Sequence, residues 1–193
     1  MRTIFVLLLM LFSGIGYAQP TSRTALLLID IQDFYFPGGN SALVEPAAAA
    51  EKAALLLTDF REKKQLVVHI RHDYEPGGSI NSLVLPFRSE KVITKKEVNS
   101  FKDTDLLTYL NEYNIDTLVL AGMQTHMCLE AATRAASDFG FTCIVIQDAC
   151  ATKDLNYNGI SIPAKEVHFS TLATLRSYAK IIDASDYLNS GNK

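Results

Sequence analysis

The sequence predicts a single-domain α/β protein, a three-layer Rossmann-like fold with a mostly parallel sheet and helices on both faces. Three observations predict it. Short apolar runs without polar alternation recur at Ala25–Ile29, Gln65–Ile70, Leu118–Ala121 and Phe141–Ile146, as expected of strands covered on both sides. Stretches with helical spacing lie between them, and strands alternating with helices build parallel sheets through right-handed crossovers. The 193 residues, 48% of them hydrophobic, suffice for one sizeable core, and no internal repeat, low-complexity segment or linker divides them.

Taken in order, residues 1–18 form a separate unit and 19–193 the mature domain. Met1-Arg2 supplies a positive charge, Ile4 to Phe12 an unbroken apolar run, and the small residues up to Ala18 a cleavage site. That is the pattern of a secretory signal peptide, too short to span a membrane comfortably. It implies an exported protein, periplasmic or secreted, with no membrane association once the leader is removed; an uncleaved anchor is the alternative. Ala25–Ile29 then reads as a buried strand ending in Asp30, followed by a loop through Phe34-Tyr35-Phe36 and Pro37-Gly38-Gly39. Pro46 suits the first turn of a helix running to Phe60. Gln65–Ile70 is the second strand, Tyr74 to Pro86 a long loop, and Lys91–Thr94 a short strand. Asp103 is placed to cap a helix through Asn111. The 118–121 strand turns at Gly122 into a helix with Leu129, Ala132, Ala136 and Phe139 on one face. Phe141 to Ile146 is a further strand, Ile162 to Ala179 a helix, and Lys180–Ile182 a last short strand.

Charge and cysteine usage exclude several classes. Without Arg2 the domain carries 17 Lys and Arg against 21 Asp and Glu, a net charge of −4 with no basic cluster. Nothing in that balance attracts nucleic acid or an anionic membrane. Cys128, Cys143 and Cys150 are odd in number and do not form a disulfide framework, and at least one is expected to be free. Gly38-Gly39 lacks a preceding strand at nucleotide-binding spacing.

Ligands of open parallel sheets bind beyond the carboxyl ends of the strands. Asp30 ends one strand, Cys128 follows the end of another, and Lys95 follows the 91–94 segment, so an acid, a base and a thiol converge on one edge. Cys128 at a strand-to-helix turn is expected to gain thiolate character from the helix N-terminus. The run ALLLIDIQDFYFPGG, then KKEVNSF, then AGMQTHMCLEAATRAASDFGF with IQDACAT, resembles the isochorismatase-like cysteine hydrolases over nearly all of the mature chain. The resemblance implies a catalytic group of Asp30, Lys95 and Cys128, with Lys96 as the alternative lysine. It also implies a cis peptide at Met123-Gln124 that aims the backbone N–H groups of Gln124 and Cys128 at a carbonyl oxygen.

The function so implied is hydrolysis of a small carboxamide or related C–N bond through a thioester on Cys128, on a small-molecule substrate, without a cofactor, in a homo-oligomer. Isochorismatases proper lack the cysteine, so Cys128 points to amide chemistry. Phe34, Phe101 and His126 are the candidate substrate-binding residues. Nicotinamidases of the family carry a metal-binding Asp-x-His after the second strand. Here His72 and Asp73 are adjacent instead, and no metal is expected. A Cys–His arrangement through His126 or His168, a metal-dependent nicotinamidase, and a catalytically idle binding or assembly subunit are the competing readings.

Overall fold

A computed structural model describes residues 23–190; the expected leader at 1–18 lies outside them. Among the described residues eight strands and five α-helices follow in chain order: β1 (Thr24–Ile29), α1 (Pro46–Glu62), β2 (Leu66–His72), β3 (Lys91–Lys95), α2 (Leu106–Glu112), β4 (Thr117–Met123), α3 (Glu130–Asp138), β5 (Thr142–Ala151), β6 (Leu155–Tyr157), β7 (Ile160–Ile162), α4 (Ala164–Leu175), β8 (Lys180–Ile182) and α5 (Ala184–Ser190). Six strands form one sheet in the order β3-β2-β1-β4-β5-β8, every pairing parallel. β6 and β7 make a small antiparallel hairpin.

The apolar residues of β1 alternate between two cores. Leu26 and Leu28 pack with Leu56, Leu57 and Phe60 of α1, while Ala25, Leu27 and Ile29 pack with Leu106 and Leu110 of α2, Ala132 of α3 and Leu129 just before α3. Leu172 of α4 joins the second core. Helices thus cover both faces, as the unbroken apolar strands require. Each buried Leu or Ile of β1 contributes roughly 1.5–3 kcal/mol, and together they hold rigid the strand end that carries Asp30. The strand order reverses between β1 and β4, a topological switch point of the kind at which open α/β sheets bind ligands.

Several boundaries differ from the sequence reading. Asp103 has a left-handed φ of 55° and caps nothing; α2 starts after Asp105. Ile162 belongs to the hairpin, where it pairs with Leu155, so α4 starts only after Pro163. β5 runs on to Ala151, which places Cys143 and Cys150 in the same strand; all three cysteines are free and buried. Phe139 lies past the end of α3 and is half exposed, its ring 5.3 Å from that of Phe101. α5 and the hairpin carry no apolar periodicity long enough to announce them.

Candidate active site

Backbone geometry sets the site before any side chain does. Asp30 leaves β1 with φ 49°, a left-handed conformation that aspartate tolerates better than most residues, and its N–H donates to the Ile70 carbonyl at 2.9 Å. Beside it, Gly122 of β4 pairs with Ile29. A Cβ on Gly122 would lie 2.0 Å from the Ile29 carbonyl oxygen, and its φ is +135°, so only glycine lets β4 approach β1 here. A cis peptide joins Met123 to Gln124, in line with the resemblance. A single π-helical turn, Thr125–Leu129, then leads into α3. Met127 and Leu129 donate their N–H groups to the Gln124 carbonyl at 3.0 and 3.3 Å, and the turn seats Cys128 at 5% exposure. Lys95, the last residue of β3, is the register partner of His72 on β2. Paired residues on neighbouring parallel strands point to the same face.

These placements converge on one ammonium group. Lys95 Nζ lies 2.7 Å from Asp30 Oδ2, both side chains fully buried. It lies 3.3 Å from Cys128 Sγ and 3.2 Å from His72 Nδ1. Lys96 is exposed. Asp73 is exposed too, and its contact with the site is its backbone N–H, which donates to the Lys95 carbonyl at 2.8 Å. Donor atoms of Asp30, His72 and Cys128 lie within 4.8 Å of one another, close enough to ligate an ion. Lys95 Nζ, however, is in contact with all three. A divalent cation would have to displace a buried ammonium, so the donor set does not fit a resident metal.

Burial dominates the electrostatics. It raises the Asp30 carboxyl above its ordinary range, and the opposing Lys95 charge does not cancel it. Burial also pushes the Cys128 thiol up to about 12, reinforced by the Asp30 charge and countered only in part by Lys95. The expected thiolate character is therefore reversed. Cys128 sits in the π-turn ahead of α3, out of water, and desolvation by burial is the largest influence on its thiol. Both shifts act the same way: burial favours the protonated Cys128 thiol and makes the Asp30 carboxylate a stronger base than usual. His72 is half-buried, and burial followed by the Lys95 charge lowers its pKa, which favours the neutral ring.

The remaining expected residues divide. Phe101 is buried in the same apolar cluster as Cys128. Phe34 is buried on the other face, packed in tilted contact with Tyr35 and Tyr74 at 4.2 and 4.7 Å between ring centroids. It is Tyr35 whose hydroxyl accepts from Gln124 Nε2 at 3.2 Å. Burial first, and then the nearby Cys128 and Asp30 charges, raise its pKa above the ordinary tyrosine value and make it a weaker acid. His126 Nδ1 lies 2.6 Å from Thr152 Oγ1, and His168 Nδ1 lies 2.9 Å from Thr125 Oγ1. Both brace the turn, while the group bonded to Cys128 Sγ is Lys95. A cavity of about 450 Å³ between the starts of α1 and α4 and the end of β5 is lined by Cys150, Thr152 and His168. Asp30, Lys95 and Cys128 do not line it, so the titratable cluster, and not this cavity, marks the chemistry. Sequence reasoning weighed His72 only as a metal ligand and ranked Tyr35 behind Phe34. The first needs the β2–β3 register, and the second needs the 3-10 turn at Asp33–Tyr35.

The isochorismatase domain model matches residues 24–184. The uncharacterized isochorismatase family protein YddQ of Bacillus subtilis is 40% identical over 177 residues, covering 86% of this chain and 98% of that protein. Maleamate amidohydrolase of Pseudomonas putida is 31% identical over 159 residues, covering 69% of this chain and 73% of the enzyme. The crystal structure of a putative isochorismatase hydrolase from Oleispira antarctica superposes with a TM-score of 0.84 at 42% identity, covering 89% of this chain and 98% of that one. The chain belongs to the isochorismatase family and, with it, to the hydrolases.

Proposed function

We propose that this isochorismatase-family hydrolase cleaves a small carboxamide or related C–N bond through a thioester on Cys128. The observation that carries the reading is the buried contact of Lys95 Nζ with both Asp30 Oδ2 and Cys128 Sγ. In the first half-reaction the Cys128 proton passes to Asp30 as sulfur bonds to the carbonyl carbon. A carboxylate made more basic by burial suits that transfer, and a thiol held protonated at rest requires it. Lys95 offsets the negative charge that moves between sulfur and carboxylate. The backbone N–H groups of Gln124 and Cys128 take the oxyanion, a donor of this kind being worth about 2.7–4 kcal/mol in the transition state. The C–N bond then breaks, Asp30 returns the proton to the departing amine, and the thioester remains. Water attacks it with Asp30 again as base; the C–S bond breaks, the thiol recovers its proton and a carboxylic acid leaves.

The amide hydrolysis named in the maleamate enzyme supports the substrate class. Export by the 1–18 segment, assembly as a homo-oligomer, and Phe34, Phe101 and His126 beside the substrate complete the proposal. The test is ammonia release by residues 19–193 from maleamate and other small carboxamides. Release is expected from the wild type, with Cys128→Ser and Lys95→Met lower by at least about a hundredfold, the lower end of what a positioned proton-transfer group contributes. No release from any carboxamide, with a protein partner captured instead, would favour the idle-subunit reading.

A further inference from the structure

We propose that His72 is a positioning residue of this site. As a neutral imidazole it accepts the third hydrogen of the Lys95 ammonium and thereby aims the other two at Asp30 and Cys128. The inference rests on the role proposed above for Lys95.

An ammonium carries three donors and no acceptor, and Lys95 Nζ has three partners: Asp30 Oδ2, Cys128 Sγ and His72 Nδ1, at 2.7, 3.3 and 3.2 Å. A lysine side chain has four rotatable bonds, and a carboxylate alone fixes one direction of its head group. The imidazole supplies a second fixed point, because His72 and Lys95 are register partners on β2 and β3 and their backbones are locked together. The His72 backbone is clasped in turn by the Gln32 side chain, which fixes the point from which the imidazole projects. The His72 N–H donates to Gln32 Oε1 at 2.7 Å, and Gln32 Nε2 donates to the His72 carbonyl at 3.0 Å.

Contact with an ammonium requires an unprotonated Nδ1, hence the tautomer with hydrogen on Nε2. The charged groups facing His72 are Lys95, which disfavours protonation, and Asp30, Asp73 and Glu97, which favour it; burial and Lys95 prevail. The ring is therefore neutral through the neutral range. As pH falls below its lowered pKa, a proton on Nδ1 turns the acceptor into a donor and sets a second cation against Lys95. The aim of the ammonium is then lost.

Two readouts on residues 19–193 test this without any amide substrate, so failure of the amidase reading leaves them intact. Nitrogen NMR of the imidazoles, with His72 assigned from its absence in His72→Asn, should show Nδ1 bare and Nε2 protonated at neutral pH; a proton on Nδ1 would overturn the proposal. The second readout is Cys128 alkylation by iodoacetamide, read by peptide mass over about pH 5 to 8, where histidine titrates. His72→Asn keeps an acceptor near the Nδ1 position. It should hold the neutral-pH rate within about threefold while losing the part of the acid limb that His72 contributes, whereas His72→Leu should fall by about tenfold, one pKa unit's worth. A His72→Leu variant with the wild-type rate and profile would sink the idea. So would Asn and Leu variants that slow equally and keep the wild-type profile, as mere packing would. If His72→Leu does not fold, the tautomer and the His72→Asn profile still decide.

Discussion

Glu90, just before β3, and Asp30, beside its last residue, are both carboxylates paired with a cation and accompanied by a histidine, yet their acidities move in opposite directions. Glu90 is saturated. Arg61 donates to its two oxygens through Nε and Nη2 at 2.8 Å each, the Phe87 N–H donates at 2.7 Å, and His69 Nε2 lies 3.0 Å away. Burial works against ionisation, but these donors overcome it and hold Glu90 down at about 2. The Arg61 guanidinium also lies over the Phe87 ring at 3.7 Å and donates to the Leu85 carbonyl. Asp30 faces one ammonium, which it shares with a thiol and an imidazole, and burial wins. The same ingredients yield an anchor where several donors converge on the carboxylate and a base where a single shared ammonium faces it.

The largest loss of stability is expected at the anchor. Glu90→Ala leaves Arg61 and His69 without their acceptor, and urea unfolding should show a loss of about 1.5–3 kcal/mol, the range for a hydrogen bond to a charged group. Because the folded-state pKa of Glu90 lies below the unfolded one, its contribution is complete above the usual glutamate value and disappears as pH falls toward about 2. The gap between wild type and variant should therefore close in acid; a gap independent of pH would mean that Glu90 acts through packing alone.

At the site the sign should invert. Asp30→Asn with Lys95→Met removes both buried charges while keeping a side chain that tolerates the left-handed backbone. Unfolding should be unchanged or shifted toward greater stability, by up to about 4 kcal/mol as for other buried pairs replaced together. A double variant as unstable as Glu90→Ala would mean that the Asp30–Lys95 pair is an anchor after all.

The difference between the two ends of β3 also separates what the sequence disclosed from what it withheld. Ala25–Ile29 could be read as a buried strand because its apolar run is unbroken, and Asp30 at its end followed from that. Pro46 marked the start of α1 because proline fits a first helical turn. Cys128 and Lys95 were reached through strand ends and motif. His72 was weighed only with its neighbour Asp73, since pairing across β2 and β3 sets what it touches and register is not written in either strand alone. Tyr35, and not Phe34, bonds Gln124, because a tight 3-10 turn rotates successive side chains by about a third of a turn. The acidity of Cys128 was misjudged for the same reason: a helix terminus can be read locally, while burial is a sum over the whole fold.

The central claim is that Cys128 becomes acylated, and the most direct measurement is the mass of the Cys128 peptide after acid quenching of a reaction with a carboxamide that releases ammonia. The account predicts an adduct of the acyl group on Cys128 during turnover, absent once substrate is exhausted and absent in Cys128→Ser. Ammonia release that continues unchanged in Cys128→Ala, with no adduct in the wild type at any time, would contradict it.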